Sequence, residues 1–343
     1  MALRQKLIWI ILAAAVVLAG AAALGLGAFS IPLGDVLALL AQRLGWKSGI
    51  APDALYYDVL FVVRMPRVLL GLLVGAALGI SGAAIQGIFR NPLAEPGLIG
   101  ISAGASLFAV LIIALETLVF VGLAQWLGHY LLAIGAFIGA TATAAAVYVL
   151  ATKNGRPNVQ TMLLAGIAIN ALAGALTGLL TYLATEQQLR SITFWMLGSL
   201  GGATWENVSA ILPFILVPLL ALPFFSKALN AFALGEMQAD LLGIRTDRVK
   251  KWVIVLSTLA VGSAVAVSGV IGFVGLLVPH TVRLLGGADH RYVLIGSALM
   301  GALTLTLADA IARVLVAPIE LPIGVITALL GTPVFLYILI KDR

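Results

Sequence analysis

Residues 64–106 read RMPRVLLGLLVGAALGISGAAIQGIFRNPLAEPGLIGISAGAS, which sets two arginines at the mouth of an apolar run and a proline-punctuated polar loop at its far end. A helix that crosses a bilayer takes about 20 residues. Arg67 to Phe89 supplies them, with Ser81 and Gln86 as the interior polar side chains. The following NPLAEPG cannot continue the helix, because each proline removes a backbone donor and denies the residue before it a helical conformation.

Outward from this stretch the same character holds. The chain is 62% hydrophobic and 10% charged, against about 25% charged in soluble domains, so a water-soluble globule is excluded. Apolar segments recur along the whole length and leave no soluble stretch above about 50 residues, the lower limit of an autonomous domain. Residues 1–343 therefore read as one integral-membrane domain. The absence of cysteine removes disulfides and thiolate metal sites. The amino terminus, MALRQK before an apolar run from Leu7 to Phe29, resembles a signal peptide, but the run is longer than an h-region of 7–15 residues. It reads as an uncleaved first span.

Apolar windows between polar breaks give ten segments: 7–29, 67–89, 97–117, 130–151, 159–184, 206–225, 252–270, 273–286, 292–316 and 322–340. An even number places both termini on one side. Alternation then puts Arg4, Lys6, Arg90, Lys153, Arg156, Lys227, Arg245, Arg248, Lys250, Lys251, Arg283, Arg291, Lys341 and Arg343 on the terminal side. Arg43, Lys47, Arg64, Arg67, Arg190 and Arg313 fall opposite. The positive-inside rule makes the terminal side cytoplasmic. The eighth segment is short for a crossing, and a re-entrant piece is the alternative that would move Arg313 to the other face. Gly75, Ser81, Gly82 and Pro92 recur at identical spacing as Gly262, Ser268, Gly269 and Pro279. With opposed spans this predicts an inverted repeat of the kind transporters use.

Residues 226–251, SKALNAFALGEMQADLLGIRTDRVKK, form the one long cytoplasmic excursion. They read as a helix pair turning at Leu234-Gly235-Glu236, since glycine ends one helix and a carboxylate suits the first turn of the next. Leu241, Leu242 and Ile244 would present an apolar edge to a cytoplasmic partner. Equally, the stretch could lie on lipid headgroups with Arg245, Arg248, Lys250 and Lys251 as anchors.

Some chemistry is missing. No GxxxxGK[ST] occurs, so the chain has no phosphate cradle for ATP. The spans hold acids near their ends, such as Glu116 and Asp309, whereas ion-coupled secondary transporters carry carboxylates at mid-membrane. An intramembrane hydrolase would need Ser268 and His280 as nucleophile and base, yet the serine repeats at Ser81 with no histidine after it. His129, His280 and His290 lack metal-ligand spacing; no metal site or bound cofactor is expected.

Several motifs together carry a family resemblance: RMPR, SGAAIQGIFRNPLAEPGLIGISAGA, TFWMLGSLGGATW, ALGEMQADLLGI, GFVGLLVPHTVRLL, DHR, ADAIAR and ELPIGVITALLGTPVFLYIL. From about Leu60 to the carboxyl terminus the chain resembles the permease subunits of type II ATP-binding-cassette importers for haem, ferric siderophores and vitamin B12. The resemblance implies an all-α subunit of about ten transmembrane helices in a bacterial inner membrane. It implies a homodimer with its path on the two-fold axis, two ATPase subunits that bind ATP and Mg on the cytoplasmic side, and a periplasmic binding protein. Nucleic acid has no place in such an assembly.

The same resemblance assigns residues. Arg64, Arg67 and Arg313 would receive glutamates of the binding protein, a role that suits the planar guanidinium fork, although Asp309 one turn before Arg313 offers an internal partner. On this reading Arg64→Glu with Arg313→Glu weakens docking in a folded permease. Leu234, Gly235, Glu236, Leu241 and Leu242 would couple to the ATPase. Asn91, Pro92 and Leu93, with Asn158, Val159 and Gln160, would form the cytoplasmic gate. Asn170, Thr177 and Thr181 are candidate path walls. Trp195 and Met196 could touch a porphyrin in transit, and residues 188–205 lean towards haem over the other cargoes.

Overall fold

The computed structural model describes residues 3–27, 29–46, 53–116, 119–128, 130–316 and 319–341; Lys47, His129 and Arg343 lie outside them. Every one of the ten predicted segments holds a helix: α1 (Leu3–Gly25), α4 (Met65–Phe89), α5 (Ile101–Leu115), α7 (Tyr130–Leu150), α8 (Val159–Tyr182), α10 (Trp205–Ala221), α13 (Thr246–Ser268), α14 (Val274–Gly286), α15 (His290–Val314) and α16 (Ile323–Lys341). Short helices fill the connections: α2 (Leu33–Arg43), α3 (Ala54–Asp58), α6 (Val121–Leu127), α9 (Glu186–Leu197), α11 (Ser226–Phe232) and α12 (Glu236–Leu241). A two-stranded hairpin, Thr152–Lys153 paired with Arg156–Pro157, precedes α8.

The bundle is built around α4, which is buried along nearly its whole length. Lipid gives no hydrophobic drive for one helix to meet another, so close approach and dispersion must do it. Glycine makes the approach possible. A Cβ at Gly75 would collide with the Gly301 carbonyl, one at Gly79 with that of Ser297, and one at Gly82 with that of Gly275. Together with the Arg67–Asp309 pair at one end and Gly87 against His290 at the other, these contacts make α15 antiparallel to α4.

The third and eighth segments are short, with 15 residues in α5 and 13 in α14, or roughly 20 Å each at 1.5 Å per residue. Both begin inside the bundle. At the start of α14, Gly275 lies against Gly82, and the Leu276 carbonyl accepts from Gln86 Nε2 at 3.1 Å. At its end the Gly286 carbonyl accepts from Gln5 of α1 at 2.9 Å. Thus α14 runs from partway along α4 to the face that carries the amino terminus. It does not span the bundle alone, but α13 has already carried the chain most of the way towards the other face, where Ser268 accepts from Ser199 N at 2.8 Å. Because α15 then starts beside the amino terminus, Arg313 ends next to Arg67, as alternation required.

Inversion of the two halves is visible in the packing. α4 packs on α14 and α15, α13 packs on α5 and α7, and the pair α5 with α7 mirrors α14 with α15. α5 runs from mid-bundle to the arginine face, where its Ala114 carbonyl meets Gln188 Nε2 at 3.1 Å, and α14 runs the opposite way. The matching register, however, differs from the Gly-Ser-Gly-Pro spacing. Pro92 lies in the loop beyond α4 whereas Pro279 is inside α14, and Ser81 is mid-helix whereas Ser268 closes α13. The equivalent turns are Gly97-Leu98-Ile99-Gly100 and Gly269-Val270-Ile271-Gly272. The Leu98 carbonyl fills the place of a Cβ at Gly166 of α8, and the Val270 carbonyl lies 3.3 Å from one at Gly324 of α16. The second turn ends on Phe273 at φ 68°, a left-handed conformation that costs a non-glycine residue about 1–3 kcal/mol. Gly331 of α16 leaves the space its ring needs.

Candidate functional site

The candidate functional side chains gather at the two ends of α4. At the arginine face a π-helical turn, Val59–Arg64, leads into α4 and turns Arg64 inward. Arg64 Nη1 donates to the carbonyls of Leu24 (2.7 Å) and Gly25 (2.8 Å), and Nη2 to that of Phe29. Arg313 does the same for α1 from α15, donating to Leu26 O at 2.9 Å and Ala23 O at 3.1 Å. Each satisfies carbonyls that the end of α1 leaves without helical partners. Between them Asp309, 3% exposed, pairs with Arg67 at 2.9 Å and Arg313 at 3.0 Å. Arg67 Nη1 also takes both oxygens of Glu320, at 2.7 and 2.9 Å, and Glu320 is half-exposed.

All three sequence-nominated arginines are therefore buried and internally partnered. The internal pair of Arg313 with Asp309 forms. A double change of Arg64 and Arg313 to glutamate would set carboxylates against the carbonyls of α1, which corrects the expectation that it would leave the permease folded. Glu320, which sequence reading passed over, covers Arg67 on its solvent side.

At the opposite face the expected helix pair is present. α11 and α12 meet at Gly235, whose φ of 122° only glycine adopts freely. Leu229, Phe232 and Ala239 are buried, while Leu234, Met237, Leu241 and Leu242 project, with exposures of 65–84%. Ile244 packs on the core instead of joining that edge. Asn230 fastens the pair to α15: its amide oxygen accepts from His290 N at 2.8 Å, and its Nδ2 donates to Asp289 at 3.0 Å. Asp289 in turn caps α15 through the N–H groups of Arg291 and Tyr292. This explains DHR as a helix start.

The two loops nominated as a gate are exposed at this same face. Asn91 accepts from Leu93 N at 2.9 Å, and Asn91, Pro92 and Leu93 are exposed. Asn158 caps α8 by accepting from Thr161 N at 3.0 Å, and Gln160 is exposed beside half-buried Val159.

Candidate wall residues are less open. Thr177 is buried, Asn170 spends Nδ2 on the Gly97 carbonyl at 3.1 Å, and Thr181 donates to the Thr177 carbonyl at 2.7 Å. The open face of α8 is apolar: Leu164, Ile167, Leu172, Leu176 and Leu179. Trp195 packs against the core and Met196 is exposed. A cavity of about 260 Å³ between the two unwound turns is bordered by Glu95, Ser102 and Asn170; burial pushes the Glu95 carboxyl above the usual range. Ser268 donates its hydroxyl proton to the Ala264 carbonyl at 2.9 Å and not to a base, so its hydroxyl is committed to the backbone.

A deeply buried helix among lipid-length helices, two short helices that begin partway through the bundle and a protruding apolar edge on one face define a multi-pass membrane protein. The chain belongs to the FecCD transport family, whose model matches residues 10–341. It is 46% identical over 308 residues to the Hemin transport system permease protein HmuU of Yersinia pestis, covering 89% of each chain. It is 42% identical over 281 residues to the Cobalamin import system permease protein BtuC of Halobacterium salinarum, covering 82% of this chain and 73% of that one. A solved structure of a metal-chelate type ABC transporter in an inward-facing conformation aligns with a TM-score of 0.82 at 32% identity, over 98% of this chain and 99% of the other. The chain is thus a non-catalytic permease subunit of an ABC transporter, and the ATPase that drives it is a separate partner.

Proposed function

We propose that the chain is the permease of an importer that moves an iron complex, haem first among the candidates, from periplasm to cytoplasm. It works as a homodimer in a bacterial inner membrane, with both termini cytoplasmic, two ATPase subunits below and a binding protein above. The observation that carries this reading is the apolar edge of Leu234, Met237, Leu241 and Leu242. Among the described residues the bundle leaves it uncovered, and it sits on the cation-rich face, where a cytoplasmic partner reaches it. The open face of α8 supports a second copy: Gly174 and Gly178, four apart, have free space where a Cβ would be, the small-residue spacing on which membrane helices approach. Thr177, Thr181 and Asn170 then edge the path from within one subunit.

Docking of the binding protein belongs to the arginine face in a specific form. Arg64 and Arg313 frame the surface from within, and Arg67 is the guanidinium a partner carboxylate reaches, by displacing Glu320. Haem as cargo rests on the similarity to the Yersinia pestis hemin permease; cobalamin stands close behind on the BtuC similarity. Vesicles holding the permease with its ATPase and binding protein decide. ATP-dependent accumulation of haemin, with none of a ferric hydroxamate or cobalamin, is expected. Uptake of cobalamin alone would reassign the cargo, and uphill uptake by the polypeptide without an ATPase would overturn the whole reading.

A further inference from the structure

Four cations open α13, and three of them, Arg245, Arg248 and Lys251, are exposed. Lys250 alone turns inward, with 2% of its surface accessible. Its ammonium donates to the Pro157 carbonyl at 3.0 Å and pairs with the Glu236 carboxylate. Burying an ammonium is costly unless it is paired and hydrogen-bonded, so the side chain is committed to both partners. Those partners belong to different machinery. Glu236 is the first residue of α12, which carries the apolar edge; Pro157 closes the hairpin and is followed by Asn158, the cap of α8. A second bond across the joint, from Thr246 Oγ1 to Asp240 at 2.7 Å, fixes α12 on the start of α13. An open cavity bordered by Lys153, Asn154, Arg156, Asn158 and Glu236 lies beside the joint, so apolar packing does not fill this space.

We propose that Lys250 is a strut that makes the coupling helix α12 and the gate loop at the start of α8 move as one body, transmitting the ATPase stroke to the gate. This rests on the permease reading above. Glu236, half-exposed and held by Lys250, is then a transmission residue, and Leu241 and Leu242 are the surface the ATPase grips. A lysine suits the task because one ammonium carries three donors on a long stem, which lets it hold a carboxylate and a carbonyl on separate elements at once.

The chain has no cysteine, so K153C and Q238C, at exposed positions on the hairpin and on α12, can carry a pair of spin labels. Pulsed electron-spin distances are measured in the permease assembled with its ATPase in lipid discs, without nucleotide and trapped with ATP and vanadate. With Lys250 present the same distance is expected in both states. Lys250→Met should make it shift and broaden on trapping, with ATP hydrolysis retained and haemin uptake lowered about tenfold, within the usual range for coupling between sites. Lys250→Arg should restore the fixed distance. A stabilising ion pair without a transmission role would leave the distance insensitive to nucleotide in every variant, and that result overturns the strut. So does a nucleotide-dependent distance in the Lys250 protein. Should Lys250→Met fail to assemble, Glu236→Gln breaks the same link from its half-exposed side and carries the same two outcomes. A Lys250 permease that binds no ATPase overturns the permease reading together with the strut, whereas loss of the strut alone leaves ATPase binding intact.

Discussion

Helices α4 and α8 are nearly alike as sequence, 25 and 24 residues long, mostly apolar and rich in glycine and alanine, yet the bundle uses them in opposite ways. Of the segment that ends in α4, 83% of the most apolar window is buried; for α8 the figure is 17%. Hydropathy cannot separate them, because lipid and protein interior are equally apolar. What separates them is what the glycines meet. Gly75, Gly79 and Gly82 abut backbone carbonyls of neighbouring helices, whereas Gly174 and Gly178, on the open face of α8, abut nothing among the described residues.

The sharpest way to break this comparison is to place one large side chain on each helix. Gly79→Leu should abolish recovery of folded protein, because its Cβ would overlap the Ser297 carbonyl and backbone cannot move aside cheaply; overpacking even a yielding core costs about 1–3 kcal/mol. Gly178→Leu should leave the subunit folded and shift it from dimer to monomer. Size-exclusion profiles in detergent read both. Equal loss of folding in the two variants would remove the distinction between α4 and α8.

Next in size is the charge that locks α4 to α15. Asp309→Asn leaves Arg67 and Arg313 buried without their shared carboxylate, and breaking a buried pair costs about 3–5 kcal/mol. A fall of that size in the free energy of thermal or denaturant unfolding is expected. Glu320→Gln, at the exposed rim of the same cluster, should cost less than about 1 kcal/mol while changing association with the binding protein in a pull-down. If the two substitutions destabilise equally, Arg67 is held by its rim partner and the buried lock is unnecessary.

The fold was legible wherever apolar length and polar breaks decide it, and for that reason each of the ten expected segments holds a helix. The turn at Leu234-Gly235-Glu236 was legible too, because glycine and a following acid specify a helix end and a helix start chemically. Other features depend on neighbours far along the chain. Pro92 and Pro279 share a spacing but not a structural place, since the loop after α4 is longer than the turn after α13; the true match, Gly97–Gly100 with Gly269–Gly272, shows only in which helix each carbonyl touches. The arginines were found by resemblance, but their inward direction follows from the π-helical turn and from α1, which no local signal ties to them. Lys250 looked like its three cationic neighbours. The carboxylate and carbonyl that claim it come from 14 and 93 residues away in sequence.

The smallest expected effect on stability tests the apolar edge. α12 resembles α8 in exposing large aliphatic side chains that the bundle does not use, and Leu242 is 65% exposed. Leu242→Asp should therefore change unfolding by no more than about 0.5 kcal/mol, the usual range for a surface site. The same substitution places a charge in a contact that must be dry when the ATPase is seated, where an unpaired carboxylate costs far more. ATP hydrolysis by the assembled complex should then stop responding to the loaded binding protein although the permease melts as before. Retained stimulation would mean that the edge rests on lipid headgroups, and would leave the protruding leucines of α12 equivalent to those of α8.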